Sequence, residues 1–431
     1  KLALAIAASA MISTPVLATN GDVLIGLGAQ SRALGGTGAA AFFGSENALT
    51  NPGLLGKMQG SEFAIGGTIF MPSVEAESDV ATMGQPAASE KSANDLNIIP
   101  EVSLATRLSE NLTFGLGIFG SAGMGVDYRD SDSLFNAYSN LQLMKFAPTL
   151  SFNQDNFGIG FAPVIQYGAL DISYKSQIRD QNGDAYFVQG DGSYSTTPSA
   201  TAARETVGNG MSSDLGYGFN LGGYFNISPD LTIGLAYQSA INMKYKDQIS
   251  VAAQGFNLSF GDELEQPAEI KVGAAYTMGG MVYTADYKQI AWGQAKGYKD
   301  FNWQDQNVFA LGAKYNGNGY WAGIGFNYAE DPIKDLGTGT TPQEAYANAA
   351  TNLFNNHFFP GVVESHITFG GGYELNKRMT IEGAVVMATE VNKSIDTGAV
   401  SAGLTNNMVT SSDHTVTHSQ MGYTVSLRMN F

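Results

Sequence analysis

The chain contains no cysteine, which removes disulfides, thiolate metal sites and thiol nucleophiles together and remains compatible with an oxidising compartment. Charge is scarce: 14% of residues are Asp, Glu, Lys or Arg, against about 25% in ordinary soluble domains. That is not the composition of a water-soluble enzyme. Histidine is nearly absent, with four residues at 357, 366, 414 and 418, so catalysis by a serine or aspartate paired with an imidazole has few places to reside. Basic residues number 22 against 39 acidic, a net charge of −17, which excludes nucleic acid as a partner because phosphate binding rewards Lys and Arg. Past the first residues no apolar run reaches the 18 or so needed to span a bilayer as a helix.

What is present points elsewhere. Residues 1–18 read as a secretory leader: a basic Lys1, an apolar Leu2–Leu17 broken by Pro15, and small residues at the exit through Ala18. An exported chain, poor in charge and without membrane helices, leaves the closed β-barrel as the structure that satisfies backbone polar groups in lipid. Period-two alternation supports this. At the C-terminus Met421, Tyr423, Val425, Leu427, Met429 and Phe431 alternate with Gln420, Gly422, Thr424, Ser426, Arg428 and Asn430. The same dyad runs from Tyr320 to Tyr328, with Trp321 as the large exception, and from His366 to Glu374. In a barrel the apolar set faces lipid, with Tyr and Phe at the strand ends forming an interfacial girdle.

About fourteen such segments start near Glu62, Ile98, Leu112, Leu143, Phe157, Asp214, Leu231, Ala268, Met281, Gln306, Tyr320, Glu364, Met379 and Ser419. Short turns at 108–111, 153–156, 227–230, 278–280, 316–319 and 375–377 alternate with long loops at 72–97, 123–142, 174–213, 247–267, 293–305, 331–363 and 392–418. Short turns on one side and long loops on the other are the pattern of a Gram-negative outer-membrane barrel, turns in the periplasm. The expected fold is therefore all-β: a transmembrane antiparallel barrel over 58–431.

Residues 19–57 are expected to plug it. Glycines at 21, 26, 28, 35, 36, 38, 44, 53 and 56 make this a poor strand, and only Asp22, Arg32 and Glu46 carry charge before Leu55. Asn51-Pro52 forces a bend. Two long loops carry helical signals: Thr341-Pro342-Gln343-Glu344 is an N-cap with Pro at the first helical position and Glu at the third, and Ser133 to Ser139 is a weaker case. Phe135, Tyr138, Leu353, Phe354, Phe358 and Phe359, read as exposed on these loops, offer a docking surface for a hydrophobic ligand, or else pack loop against loop.

Several stretches resemble the outer-membrane long-chain fatty-acid and hydrocarbon transporters, the FadL-like and toluene-channel-like proteins. These are SRALGGTGAA from Ser31, Asn51-Pro52-Gly53 where the family usually reads Asn-Pro-Ala, YSNLQLMKFAPTLSF from Tyr138, LGYGFNLGGYFNISPDLTIGLAYQSAINMKY from Leu215, QPAEIKVGAAY from Gln266, WQDQNVFALGAKYNGNGYWAGIGFNYAEDPI from Trp303 and FFPGVVESHITFGGGYELN from Phe358. The resemblance implies a channel that captures its substrate in the loops, passes it to the lumen, shifts the plug and releases it sideways where the third strand is kinked. Carried onto this chain, that strand is Leu112 to Met124, with Gly115, Gly117, Gly120 and Gly123 available for a bulge or serving as ordinary inward glycines, and with Phe119 among the substrate contacts.

Inward-facing Lys145, Lys271, Lys288, Lys314 and Arg428 offer contacts for a carboxylate, Lys145, Lys314 and Arg428 foremost, or pair with Glu101, Asp286, Glu374 and Glu382. His414 and His418 read as polar groups in or beside the last loop, and no cofactor or metal site is expected. A monomer is expected, in contact with outer-membrane lipid and lipopolysaccharide, the acidic excess lying in loops that divalent cations would bridge to the latter. The function expected is passive uptake of long-chain fatty acids. Alternatives are aromatic or alkane hydrocarbons by the same route, a structural or adhesive surface barrel, and a general porin, which a plug disfavours.

Overall fold

The structure, a computed structural model, describes residues 19–80, 88–131, 134–175, 206–405, 407 and 409–431. The leader expected at 1–18 lies outside these. Alternation drives the architecture: with outward side chains accommodated by lipid and inward ones by one another, every backbone polar group must find its partner on a neighbouring strand, and only closure leaves no edge. Fourteen long strands follow, β1 (Ser61–Ser78), β2 (Asn97–Arg107), β3 (Leu112–Met124), β4 (Tyr138–Gln154), β5 (Phe157–Lys175), β6 (Ser212–Asn226), β7 (Leu231–Gln238), β8 (Glu269–Met278), β9 (Met281–Ile290), β10 (Gln306–Asn316), β11 (Tyr320–Ala329), β12 (Ser365–Asn376), β13 (Met379–Asp396) and β14 (Asp413–Asn430). Each pairs antiparallel with the next, and β14 pairs with β1 from His414 opposite Ser78 to Asn430 opposite Glu62, closing the ring.

Side chains sort as the dyad requires. Ile159, Phe161, Ile165, Leu235, Leu311, Ile324, Phe326 and Val425 are exposed on the outer surface, whereas Gln166, Asn220, Thr284, Asn327, Thr368, Thr424 and Arg428 are buried toward the axis. Trp321, the exception in its strand, turns inward and donates its indole N–H to Glu382 Oε1 at 3.1 Å. A buried Trp with a carboxylate partner costs little, which is why the pattern tolerates it there.

Twelve strand starts fall within two residues of the sequence expectation, but β4 and β14 begin five and six residues earlier. The long strands β1, β13 and β14 also run into what the sequence assigned to loops. Their upper ends keep the period of two with the polarity reversed: Ser73, Glu75 and Glu77 face out while Val74, Ala76 and Ser78 are buried, and Asp413, Thr415 and Thr417 face out while His414, Val416 and His418 are buried. Above the lipid the outside is water, so the same pleat now hides its apolar face. A lipid-facing template reads that inversion as loop.

The helical expectation at Thr341 holds: α3, Pro342–Phe358, begins at Thr341, whose side chain accepts from the Glu344 N–H while the Glu344 carboxylate accepts from Thr340. The expectation at 133–139 does not hold over its described residues. Leu134–Asn136 form a turn with Phe135 and Asn136 at positive φ, and β4 starts at Tyr138. Shorter helices are α1 (Gly28–Ala33), α2 (Ile249–Gln254) and α4 (Gly398–Leu404).

Candidate functional site

The segment from Thr19 to Lys57 is buried almost throughout and bonds to inward-facing groups all round the ring. Arg32, on α1, gives a two-pronged ion pair to Glu101 of β2 (2.6 and 2.9 Å) and donates to Thr68 of β1. The Gly35 N–H meets Thr368 of β12 at 2.9 Å, and the Gly38 and Ala39 N–H groups both meet Asp286 of β9 at 2.8 Å. These are backbone donors of a segment without regular structure, and inward polar side chains of the wall supply the acceptors that buried N–H groups require.

The Asn51-Pro52-Gly53 motif docks on β5 and β6. The Asn51 amide donates to the Ala39 and Gly223 carbonyls (2.6 and 3.0 Å) and accepts from the Gly53 N–H (3.0 Å), so one side chain ties the N-terminal segment 19–57, labelled the hatch, to itself and to the wall. Gly53 touches backbone: a Cβ there would stand 2.7 Å from Gly223 Cα and 2.8 Å from the Gly222 carbonyl oxygen. The family's usual alanine does not fit against this wall.

Arg428 of β14 forms a second ionic hub. Its guanidinium contacts Glu62 of β1 (2.5 Å), Glu46 of the hatch (2.9 Å) and Glu382 of β13 (3.0 Å). Burial pushes the Glu46 carboxyl up to about 8 against the pull of Arg428, with Glu62 and Glu382 adding to the rise. Of the groups expected to greet a substrate carboxylate, Arg428 is therefore fully committed to the protein. Lys145 donates to Gln238 (3.0 Å) and Lys314 to Gln30 of α1 (2.8 Å). Lys288 pairs with Glu269 at 3.4 Å, and Glu374 is exposed.

The third strand does break its pairing. β2 and β3 stay in register from Arg107 opposite Thr113 to Glu101 opposite Phe119, and there the ladder ends. Asn97–Pro100 pair only with β1, and Pro100 has no N–H to offer. On the other side, the β3–β4 register slips between Gly120 and Ala122. About four residues of each strand do not pair with the other, an interruption of roughly 13 Å at 3.3 Å per residue. Both polar atoms of the buried Asn97 amide lack a partner in this stretch. Of the four glycines, Gly120 and Gly123 flank the slip. Gly115 and Gly117 lie in regular ladder, where a Cβ would meet Leu55 of the hatch (2.5 Å) and Phe119 (2.3 Å) respectively, so their smallness serves packing rather than the bulge.

The hatch itself occupies the break. Thr19–Asn20 and Val23–Leu24 form a small hairpin whose Val23 pairs with Ala122, and the Gly123 N–H donates to the Asp22 carbonyl at 3.1 Å. The Asp22 carboxylate accepts from Gln266 (2.9 Å) and from the Tyr298 hydroxyl; burial raises it to about 6 despite these bonds. Gly21, at the tip, lies under Trp292 and Trp303, and Trp303 donates to Asn355 of α3 at 3.0 Å. Hairpin, kinked strand, loop and helix are thus one connected unit. Asp22, Trp292, Trp303, Asn355 and Asn97 carry this arrangement, and none is singled out by periodicity; the only sequence signal is that Asp22, like Arg32, is one of the few charges in a glycine-rich segment.

The loop aromatics do come together, but not as an exposed surface. Leu353, Phe354, Phe358 and Phe359 are at most 1% exposed, and Tyr138 is buried at 8%. Phe354 lies 5.2 Å from Phe358, 5.6 Å from Phe301 and 5.7 Å from Phe256, while Phe135 meets His357 edge-on. Six bulky apolar groups on water-facing loops gain more by covering one another than by waiting for ligand. Phe119 is fully buried beside the break. The histidines are corrected likewise: His414 and His418 are buried on the inner face of β14, with His414 5.1 Å from His357, and His418 Nδ1 pairs with the Pro360 carbonyl at 2.8 Å. Among the described residues no group of three or more His, Asp or Glu is placed to hold a metal ion.

A family model described as outer membrane protein transport protein (OMPP1/FadL/TodX) matches residues 24–341. The chain belongs to this family. Solved structures agree in fold with this FadL-family chain. A Pseudomonas aeruginosa FadL homologue is 14% identical, covers 95% of this chain and 100% of its own, and superposes with a TM-score of 0.68. The Pseudomonas putida toluene transporter TodX is 18% identical, with 94% and 99% coverage and a TM-score of 0.64, and the Ralstonia pickettii toluene transporter TbuX is 19% identical, with 94% and 98% coverage and 0.60. A comparison with curated proteins finds no match.

Proposed function

We propose that this FadL-family chain, as a monomer among outer-membrane lipids, admits hydrophobic molecules passively, with long-chain fatty acids the main class. Residues 19–57 act as the hatch, and the substrate leaves sideways through the interruption between β2 and β3. The observation that carries the reading is that interruption: two adjacent barrel strands stop pairing at Asn97–Pro100 and Gly120–Met124, and the hatch hairpin fills the place. The energetics favour a lateral exit, since a chain of about sixteen carbons gains on the order of 12 kcal/mol on leaving water, at roughly 0.8 kcal/mol per CH₂. Release into the bilayer keeps most of that gain, whereas release into water forfeits it. Aromatic hydrocarbons are the second reading, supported by the likeness to the toluene transporters TodX and TbuX.

A chain without cysteine allows a direct test. Ile99→Cys with Gly120→Cys places two thiols where a Cβ on Gly120 would lie 2.6 Å from Ile99 Cγ2. Oxidation is expected to close the break and stop uptake of labelled oleate and toluene by cells, and reductant to restore it. Unchanged uptake in the verified cross-linked protein refutes lateral exit. Absence of uptake of either compound by the unmodified chain refutes hydrophobic transport and leaves the structural or adhesive barrel; passage of small sugars would make it a general porin.

A further inference from the structure

At the short-turn end of the barrel, on the far side of the hatch from the loops, lies a cavity of about 530 Å³. It is bounded by hatch residues Ala40–Phe43, by the turn 227–230 and by the lower ends of β7–β10. That volume lies in the range of small-molecule sites. Two lysines line it. Lys57 Nζ donates to Asn226 Oδ1 (3.2 Å) and Thr232 Oγ1 (3.0 Å) and sits 4.5 Å from the centre of the Tyr224 ring. Lys314 Nζ donates to Gln30 Oε1 and lies 5.7 Å from the Phe43 ring and 5.9 Å from Trp321.

Neither ammonium has an ion-pair partner among the described residues, whereas Arg32, Lys288 and Arg428 do. Each is held by neutral oxygens and aromatic faces, which fix its position and leave its charge uncancelled. The charged groups near them are accounted for. Asp230 stands on the exposed turn at the cavity's rim, and Glu382, whose field reaches Lys314, is bound to Arg428. Burial alone lowers Lys57 to about 8, the strain of a cation short of a counter-charge.

We propose that this cavity is a second ligand site, in which one of the lining ammoniums, Lys57 or Lys314, receives the carboxylate of a long-chain acid whose tail lies against Ala40, Phe43, Ala275 and Val282. The inference rests on the reading of the protein as a channel for hydrophobic molecules and deepens it. A purely apolar solute finds no use for an unpaired cation, whereas an acid gains a charge-assisted contact at the periplasmic mouth.

The test compares palmitate with 1-hexadecanol, the same tail without the charge, by titration into the full chain in lipid nanodiscs. Palmitate carrying a diazirine at its far end, followed by peptide mapping, locates the bound tail. Expected are cross-links on Ala40–Phe43 and on β8 or β9, and palmitate affinity at least tenfold weaker in Lys57→Gln/Lys314→Gln with hexadecanol unaffected. Lys57→Arg/Lys314→Arg is expected to retain binding, which separates loss of charge from loss of fold, and affinity should fall as pH rises past 8. Equal palmitate affinity in the glutamine variant and the parent, or cross-links confined to the loop side of the hatch, overturns the site. If the parent takes up toluene and oleate while either of those results is found, this inference fails alone; if it takes up neither, the channel reading fails with it.

Discussion

Replacing Arg428 by methionine removes the cation that holds the hatch to both β1 and β13. The parent geometry places three carboxylates within 3.0 Å of one guanidinium, all of them buried. Glu46, pushed up to about 8, is mostly protonated at neutral pH, so the loss falls on Glu62 and Glu382. Removing one partner of a buried ion pair costs about 3–5 kcal/mol, because the remaining charge stays desolvated and uncompensated. The barrel strands keep some 17 paired positions along β14 and β1, whereas the hatch loses one of the side-chain anchors that, with Arg32–Glu101 and Asn51–Gly223, hold it to the wall. Undocking of the hatch is therefore the cheapest relief. At 1.4 kcal/mol per tenfold, amide exchange of residues 44–57 is expected to accelerate on the order of a hundred- to a thousand-fold, with exchange in the barrel strands little changed. Arg428→Met with Glu62→Gln and Glu382→Gln should recover most of the loss at pH 7. Hydrogen exchange read by mass spectrometry on the protein in nanodiscs checks this. Exchange in 44–57 within threefold of the parent, in the single variant at pH 7, would refute the claim that this hub holds the hatch.

Gly53→Ala, the change toward the family's usual residue, should destabilise hatch docking by about 1–3 kcal/mol, the range for overpacking, because the added Cβ meets β6 backbone; protease sensitivity of the hatch that equals the parent's would contradict this. Glu46 is an acid whose value is raised in the fold, from 4.5 to about 8, so its contribution is most favourable at low pH and is lost as pH rises between those values, at up to roughly 1.4 kcal/mol per unit. Hatch protection from exchange should fall over that interval, and Glu46→Gln should flatten the dependence. His357, on α3, is lowered from 6.5 to about 4 by burial; the fold holds it neutral, so its contribution is intact above 6.5 and lost as pH falls toward 4. Fluorescence of the loop tryptophans should report loosening of α3 over that window, and His357→Phe, filling the space between Tyr128 and Phe358, should shift or abolish it.

Strand count, strand order, the side on which short turns gather and the inward direction of Arg428, Lys145 and Lys314 were legible from residue order, because a barrel wall has one periodicity and each residue's side follows from parity alone. The capped helix at Thr341 was legible for a similar reason, its signal being local. Which charges cancel was not. Arg428 pairs with Glu46 and Glu382, 382 and 46 positions away, and nothing along the chain distinguishes that committed cation from Lys57 and Lys314, which have no ion-pair partner among the described residues. Nor was burial of the loops legible: Phe354 and His414 sit in segments that read as exposed, and only the folding of α3 over the barrel mouth brings them into contact with each other's neighbours. The break between β2 and β3 is a property of two strands and of the hairpin that inserts between them. Composition can supply the glycines for it, but only the three-dimensional fold decides that Gly120 and Gly123 border the slip while Gly115 and Gly117 remain in the ladder, because register is a relation between strands and not a property of either one.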